Sequence, residues 1–194
     1  MPLETEIKYI DVDHEAVRRR LAALGARRNP FRFERNAVLD DAQRSLRGRG
    51  VLLRLRYDGE NLLTLKTPAS GPQGLKVRHE HETRFEDFDA AMRVFENLGY
   101  GVAFWYEKLR ETWEYGGCHI CLDLLPFGSF AEIEGEPEAI RQCAVELGLD
   151  AYRSSDANYH SLNAQYRKRA GLPEQDGFAF DEAERQRLME IAGS

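Results

Sequence analysis

The sequence predicts an α+β chain built on an eight-stranded antiparallel β-barrel, with charged strand faces turned into the lumen and helices packed on the apolar outside. Three observations lead there. Charged residues recur at every second position in segment after segment, and helical spacings fill the gaps between those segments. The polar residues on the strand faces are mostly Arg, Lys and Glu, where an ordinary solvated strand favours Thr, Ser and Gln. A sheet with one face in water is the simpler reading of alternation alone, and the density of charge argues against it. Buried charges must pair, stay hydrated or meet a ligand of matching charge, so such a lumen reads as a binding site.

The elements follow in order. Glu4, Glu6 and Lys8 alternate with Leu3, Thr5, Ile7 and Tyr9, which puts all three charges on one strand face. Asp13 reads as the N-cap of a helix through Val17, Leu21 and Leu24 that stops at Gly25. Arg54 and Arg56 alternate with Leu53, Leu55 and Tyr57, and the next strand ends Leu65-Lys66. After the loop Thr67 to Gly74, rich in Pro, Gly and Ser, come Lys76, Arg78, Glu80, Glu82 and Arg84 at period two. Asp87 starts a helix through Ala91, Val94, Phe95 and Leu98 before Gly99. Lys108, Arg110, Thr112 and Glu114 oppose Leu109 and Trp113; Asp123 opposes Ile120, Leu122 and Leu124; Glu132 and Glu134 flank Ile133. Pro137 sits at the start of a third helix, through Ile140, Ala144 and Leu147 to Gly148. Ser155 to Lys168, with Tyr159, Leu162 and Tyr166 near helical spacing, reads as a cap on one end of the barrel.

Composition narrows the class. The 194 residues suffice for one such domain and leave too few for a second. The net charge of -6 argues against a general nucleic-acid surface. No apolar run reaches the length of a membrane span, and the N-terminus lacks a cationic stretch followed by an apolar core, so the expected location is cytoplasmic. Cys118 and Cys121 form a C-x-x-C whose side chains would face opposite ways on a strand, and with Cys143 alone besides they suggest neither zinc nor a disulfide framework. His79 and His81 fall on the outward phase, and His119, on the inward phase, reads as packed or solvated.

The inward charges sort by sign. Lys8, Arg54, Arg56, Lys66, Lys76, Arg78, Lys108 and Arg110 suit a long polyanion, Arg through bidentate oxygen contacts and Lys as point charges. Glu4, Glu6, Asp123, Glu132 and Glu134 suit a hard divalent cation, Mg²⁺ or Mn²⁺. Together they describe a site for a metal-bound oligophosphate.

The E-x-E-x-K of Glu4, Glu6 and Lys8 opens a series of ordered motifs. It continues with the L-R-L-R ending at Arg56, the L-x-L-K ending at Lys66, the R-x-E-x-E of Arg78, Glu80 and Glu82, the K-x-R of Lys108 and Arg110, and the E-x-E of Glu132 and Glu134. In that order and over roughly the first 167 residues the chain resembles the CYTH family, the triphosphate tunnel metalloenzymes. The resemblance implies a tunnel that grips a triphosphate lengthwise with basic residues and holds one or two metal ions with carboxylates. It implies a role for Glu4, Glu6, Lys8 and Glu132 in catalysis, and an activity among triphosphatases and class IV adenylyl cyclases. Two departures stand out. Where many members have an aromatic followed by Asp-Thr, this chain reads Asn36-Ala37-Val38-Leu39-Asp40-Asp41; where many have a basic residue before Ser-Tyr, it reads Asp156-Ala157-Asn158-Tyr159. Both move it away from a close copy of thiamine triphosphatase.

The reading is therefore a triphosphatase acting on inorganic or organic triphosphate, preferred over a cyclase because the sequence identifies no base-recognition pocket. A non-catalytic polyphosphate or nucleotide-binding module is the third reading. The tunnel domain is expected over residues 1–170. Residues 171–194, a turn-rich link and a charged helix anchored by Leu188, Met189 and Ile191, lie outside the resemblance. A cover for a tunnel mouth, a contact in a homodimer and a plain surface helix are the roles open to them.

Overall fold

The computed structural model describes residues 3–193. Its centre is a closed antiparallel barrel of eight strands. β1 (Leu3–Ile10) is followed by α1 (His14–Ala23), the short β2 (Arg27–Arg28), β3 (Arg32–Asp40), the single-turn α2 (Ser45–Gly48), β4 (Leu52–Tyr57), β5 (Asn61–Pro68) and β6 (Lys76–Phe85). Then come α3 (Phe88–Asn97), β7 (Gly101–Tyr115), β8 (Cys118–Leu125), β9 (Gly128–Glu134), α4 (Pro137–Glu146), β10 (Ser154–Ser155), α5 (Tyr159–Arg169) and α6 (Glu182–Gly193). Around the barrel the order is β1-β6-β5-β4-β3-β7-β8-β9, and β9 pairs back onto β1; β2 and β10 add short edges to β7 and β1.

Two of the helices predicted between strands, α1 and α3, begin and end where their chemistry dictates. Asp13 accepts from the Ala16 N–H and Asp87 from the Ala90 N–H, each satisfying a helix donor that would otherwise lack a partner. At the other end Gly25 and Gly99 take φ of +71° and +88°, which lets Ala26 and Tyr100 donate back to Leu21 and Phe95 and closes both helices in the same way.

The core lies outside the barrel wall, as the inverted alternation demands. α1 and α4 bury Val17, Leu21, Ile140 and Leu147 against Ile120, Leu122 and Ile133. α3 covers Leu53 and Leu55 with Phe88, Met92 and Phe95. The tail packs as well: Phe180 and Leu188 join Phe33 and Leu109. Glu107 fastens it by accepting from the Phe180 N–H at 3.2 Å and from Arg185 Nε at 2.9 Å.

Candidate functional site

Register decides which charges meet. Glu6 pairs with Glu134 and Lys8 with Glu132 across β1 and β9, while Arg110 on β7 stands opposite Asp123 on β8 and Glu34 on β3 opposite Lys108. All of these side chains share the inward phase. Glu6, Lys8, Lys108, Arg110, Glu132 and Glu134 line a cavity of about 380 Å³, with Asp123 and Glu34 buried behind that lining; the volume is within the range of roughly 300–1,000 Å³ common for ligand sites.

The five carboxylates expected at a metal divide into two groups. Ligand oxygens of Glu4, Glu6 and Glu134 lie within 4.8 Å of one another. Asp123 and Glu132 are instead taken up by cations. Asp123 accepts from Arg110 Nε at 2.7 Å, from Lys108 at 3.2 Å and from the Tyr159 hydroxyl at 2.6 Å; Glu132 accepts from Lys8 and from Arg110. Burial would raise the Glu132 carboxyl, but Lys8, Arg110 and Lys108 outweigh it and hold the group well below the usual carboxylate range. In the trio Glu6 is also lowered, burial and Glu132 being outweighed by Lys8, Lys76 and Lys66, whereas for Glu134 and Glu4 the balance goes the other way. Burial pushes the Glu134 carboxyl up to about 7, with Glu132, Glu4 and Glu6 adding to the rise and Arg110 opposing it. Burial also raises Glu4, against the pull of Lys66. Three converging oxygen ligands whose mutual repulsion stands partly uncompensated fit a hard divalent cation.

The basic residues also differ in what they already hold. Lys66 donates to both oxygens of Glu4 at 2.6 Å and Lys76 to Glu6 at 2.6 Å. Arg56 lies 3.4 Å from Asp58, 3.7 Å from Glu82 and 3.9 Å from Glu34. Arg78 donates to the Gly50 carbonyl at the cavity edge. Arg54 is the exception. It is 8% exposed, donates only to the Tyr106 hydroxyl at 3.1 Å and to Thr64 Oγ1 at 3.2 Å, leaves its Nε without a partner, and has no carboxylate oxygen within 4.0 Å among the described residues. A buried guanidinium hydrogen-bonded only to neutral oxygens, with Glu34 and Glu80 acting on it from farther off, has donor capacity left for an anion.

Three lumen residues escaped the sequence reading. Glu34, 1% exposed, sits among Lys108, Arg110 and Arg56. Tyr106 orients Arg54, and Tyr159, expected only as part of a cap, lies 4.4 Å above Lys8 Nζ while bonding Asp123. The period-two phase shared with Lys108 pointed to Tyr106; nothing in the local pattern around Glu34 did. His119 is exposed, and Cys118, Cys121 and Cys143 are buried and free.

A closed antiparallel barrel whose lumen holds a carboxylate trio and a buried arginine without a carboxylate within 4.0 Å among the described residues is a charged tunnel. The CYTH domain family matches residues 2–148, and the chain belongs to that family. The family is metal-dependent, binds triphosphate substrates, and its members are generally triphosphatases or cyclases. No curated protein matches by sequence. Among solved structures, a conserved hypothetical protein of Pyrococcus furiosus is 23% identical, with a TM-score of 0.68 over 80% of this chain and 97% of its own. A candidate adenylate cyclase of Vibrio parahaemolyticus is 25% identical, TM-score 0.61, over 95% and 98%. A Hippeastrum protein named for adenylyl cyclase and described as having a dominant triphosphatase activity is 17% identical, TM-score 0.61, over 92% and 100%. No helix among the described residues is long and apolar enough to cross a membrane.

Proposed function

We propose that the chain is a divalent-metal-dependent triphosphatase. One observation carries the reading: one cavity is lined both by three converging carboxylates, of which Glu4 and Glu134 lack full compensation, and by a buried guanidinium with no carboxylate oxygen within 4.0 Å among the described residues. Each end of that imbalance is relieved by one half of a metal–triphosphate complex. Glu4, Glu6 and Glu134 would hold Mg²⁺ or Mn²⁺. When bound, the ion supplies Lewis acidity toward a phosphoryl oxygen and a site for water.

The chain's own residues supply the grip. Arg54, with its free Nε, and Arg56 take phosphate oxygens, and Lys8, Lys66, Lys76, Arg78, Lys108 and Arg110 supply the remaining positive charge along the lumen. Asp123 and Glu132 orient Arg110, Lys108 and Lys8. Tyr159, hydrogen-bonded to Asp123 and lying over Lys8, helps exclude water from that end. Within this reading residues 1–170 form the tunnel domain and 171–194 an appended segment.

Adenylyl cyclisation is the second reading, and a specific observation favours it. The sequence offered no base pocket, whereas the cavity wall includes Phe104, His160 and Phe178. The deciding experiment separates products after incubation with inorganic triphosphate, ATP or thiamine triphosphate and Mg²⁺ or Mn²⁺. Orthophosphate without cyclic product establishes the phosphohydrolase. Cyclic AMP with equal pyrophosphate establishes the cyclase and overturns the first reading; saturable binding with no product leaves a binding module.

A further inference from the structure

At one mouth of the tunnel apolar side chains join the charged ones. There the cavity wall includes Val38, Leu52, Phe104 and Phe178, with Asp40, Arg44 and Arg47 also on the lining. Phe104 stacks on His160 at a centroid distance of 4.8 Å and an interplanar angle of 24°. Phe178 comes from the tail beyond the family match. Its N–H donates to the Trp105 carbonyl at 3.2 Å and its carbonyl accepts from the Glu107 N–H at 3.0 Å, so it is fixed as an added rung on β7. Gly177 permits that approach, because a Cβ there would lie 2.5 Å from the Trp105 carbonyl oxygen.

Asp176, next along, ties the mouth together. Its carboxylate lies 3.7 Å from Arg44, 3.6 Å from Arg47 and 3.5 Å from His160 Nε2, and its backbone carbonyl accepts from His160 Nδ1 at 3.0 Å. The two guanidiniums are thus partly neutralised where they would otherwise extend the phosphate grip.

We propose that this mouth is a specificity subsite for the organic part of the substrate, an uncharged planar heterocycle joined to the triphosphate, and that the tail segment Asp176–Phe178 determines that choice. The inference rests on the triphosphate reading above and deepens it. Inorganic triphosphate is charged from end to end and has nothing to place against Phe104, Leu52 and Phe178. An organic triphosphate changes from charged to apolar along its length, and apolar side chains join the cavity wall at this mouth. Asp176 adds to the selection by opposing a further phosphate at the rim.

Calorimetric titration in metal-free buffer with ATP and with inorganic triphosphate tests this without turnover. The full chain should bind ATP at least about tenfold more tightly than inorganic triphosphate, the scale of one apolar contact surface in a binding pocket. Phe178→Leu keeps apolar bulk but loses the planar wall, and should weaken ATP by about tenfold while inorganic triphosphate stays within about twofold. Asp176→Asn frees Arg44 and Arg47, and should tighten inorganic triphosphate more than ATP; it remains informative if Phe178→Leu fails to fold. Equal effects on both ligands in both variants would overturn the subsite while leaving the triphosphate tunnel intact. Failure of the unmodified chain to bind either ligand, with or without Mn²⁺, would overturn the triphosphate reading itself.

Discussion

Replacing Arg54 with Met should cost ligand binding far more than it costs stability. The guanidinium is buried and held by two neutral hydroxyls, at 3.1 Å and 3.2 Å, with its Nε unpartnered. Removing a buried ion relieves a desolvation penalty of several kcal/mol. Against that stand two hydrogen bonds to a charged donor, about 1.5–3 kcal/mol each. Thr64 stays satisfied, because its hydroxyl donates to Glu82 at 3.0 Å. The terms nearly cancel, and the lost attraction to the buried Glu34 weighs against the variant, so Arg54→Met should unfold in urea with a stability within about 2 kcal/mol of the unmodified chain. Binding is another matter. Two charge-assisted contacts to phosphate are worth roughly 3–6 kcal/mol, so triphosphate affinity in calorimetry should fall by at least about a hundredfold. A variant that loses stability yet keeps its affinity would show that Arg54 is a structural cation, and would remove the observation on which the anion site rests.

Three further outcomes follow from the same lumen. Glu6→Gln should abolish turnover and weaken metal dependence while circular dichroism shows a folded barrel, whereas Arg56→Ala should raise KM by about tenfold; normal metal-dependent turnover by Glu6→Gln would sink the carboxylate trio as the metal site. With the Glu134 carboxyl pushed up to about 7, metal and proton compete there. Mn²⁺ affinity should fall by about tenfold per pH unit below that value and level off above it, and Glu134→Gln should flatten this part of the profile. Burial raises the Glu34 carboxyl, but Lys108, Arg110, Arg56 and Arg54 override it and hold it at about 2. Its depressed value contributes stability that is fully present above pH 4.5 and lost as pH falls toward 2. Glu34→Gln should therefore cost about 3 kcal/mol in urea unfolding at neutral pH and reduce the steepness of acid unfolding.

Much of the barrel could be read from the chain because period-two charge survives any tilt or register: Glu4, Glu6 and Lys8 face inward whatever they pair with. The partition of the carboxylates could not be read that way. Whether Glu132 meets a metal or Lys8 depends on β1–β9 register and on the reach of Arg110 from β7, both set by closure of the barrel. Glu34 was hidden because Arg32 and Arg35 put charge on both phases of β3, Arg35 being answered outside the barrel by Glu107 at 3.6 Å. Glu111 inverts the expected pattern: it faces outward from β7 yet is fully buried, held by Arg18 and Arg28. The tail's part in the mouth had no periodic signal at all, since Phe178 acts through backbone pairing to Trp105 and Glu107.

Because β1 is the stave that closes the barrel, two of the three trio carboxylates sit on the strand whose neighbours are made late. Lys8 and Glu132 are 124 residues apart in sequence. At a synthesis rate of about 5–20 residues per second the first strand would wait roughly 6–25 s for its β9 partner to emerge. Its alternating charges serve it during that wait, since an edge rich in Glu and Lys resists pairing with another chain. The pattern that later draws a cation into the lumen thus first keeps the nascent strand solitary.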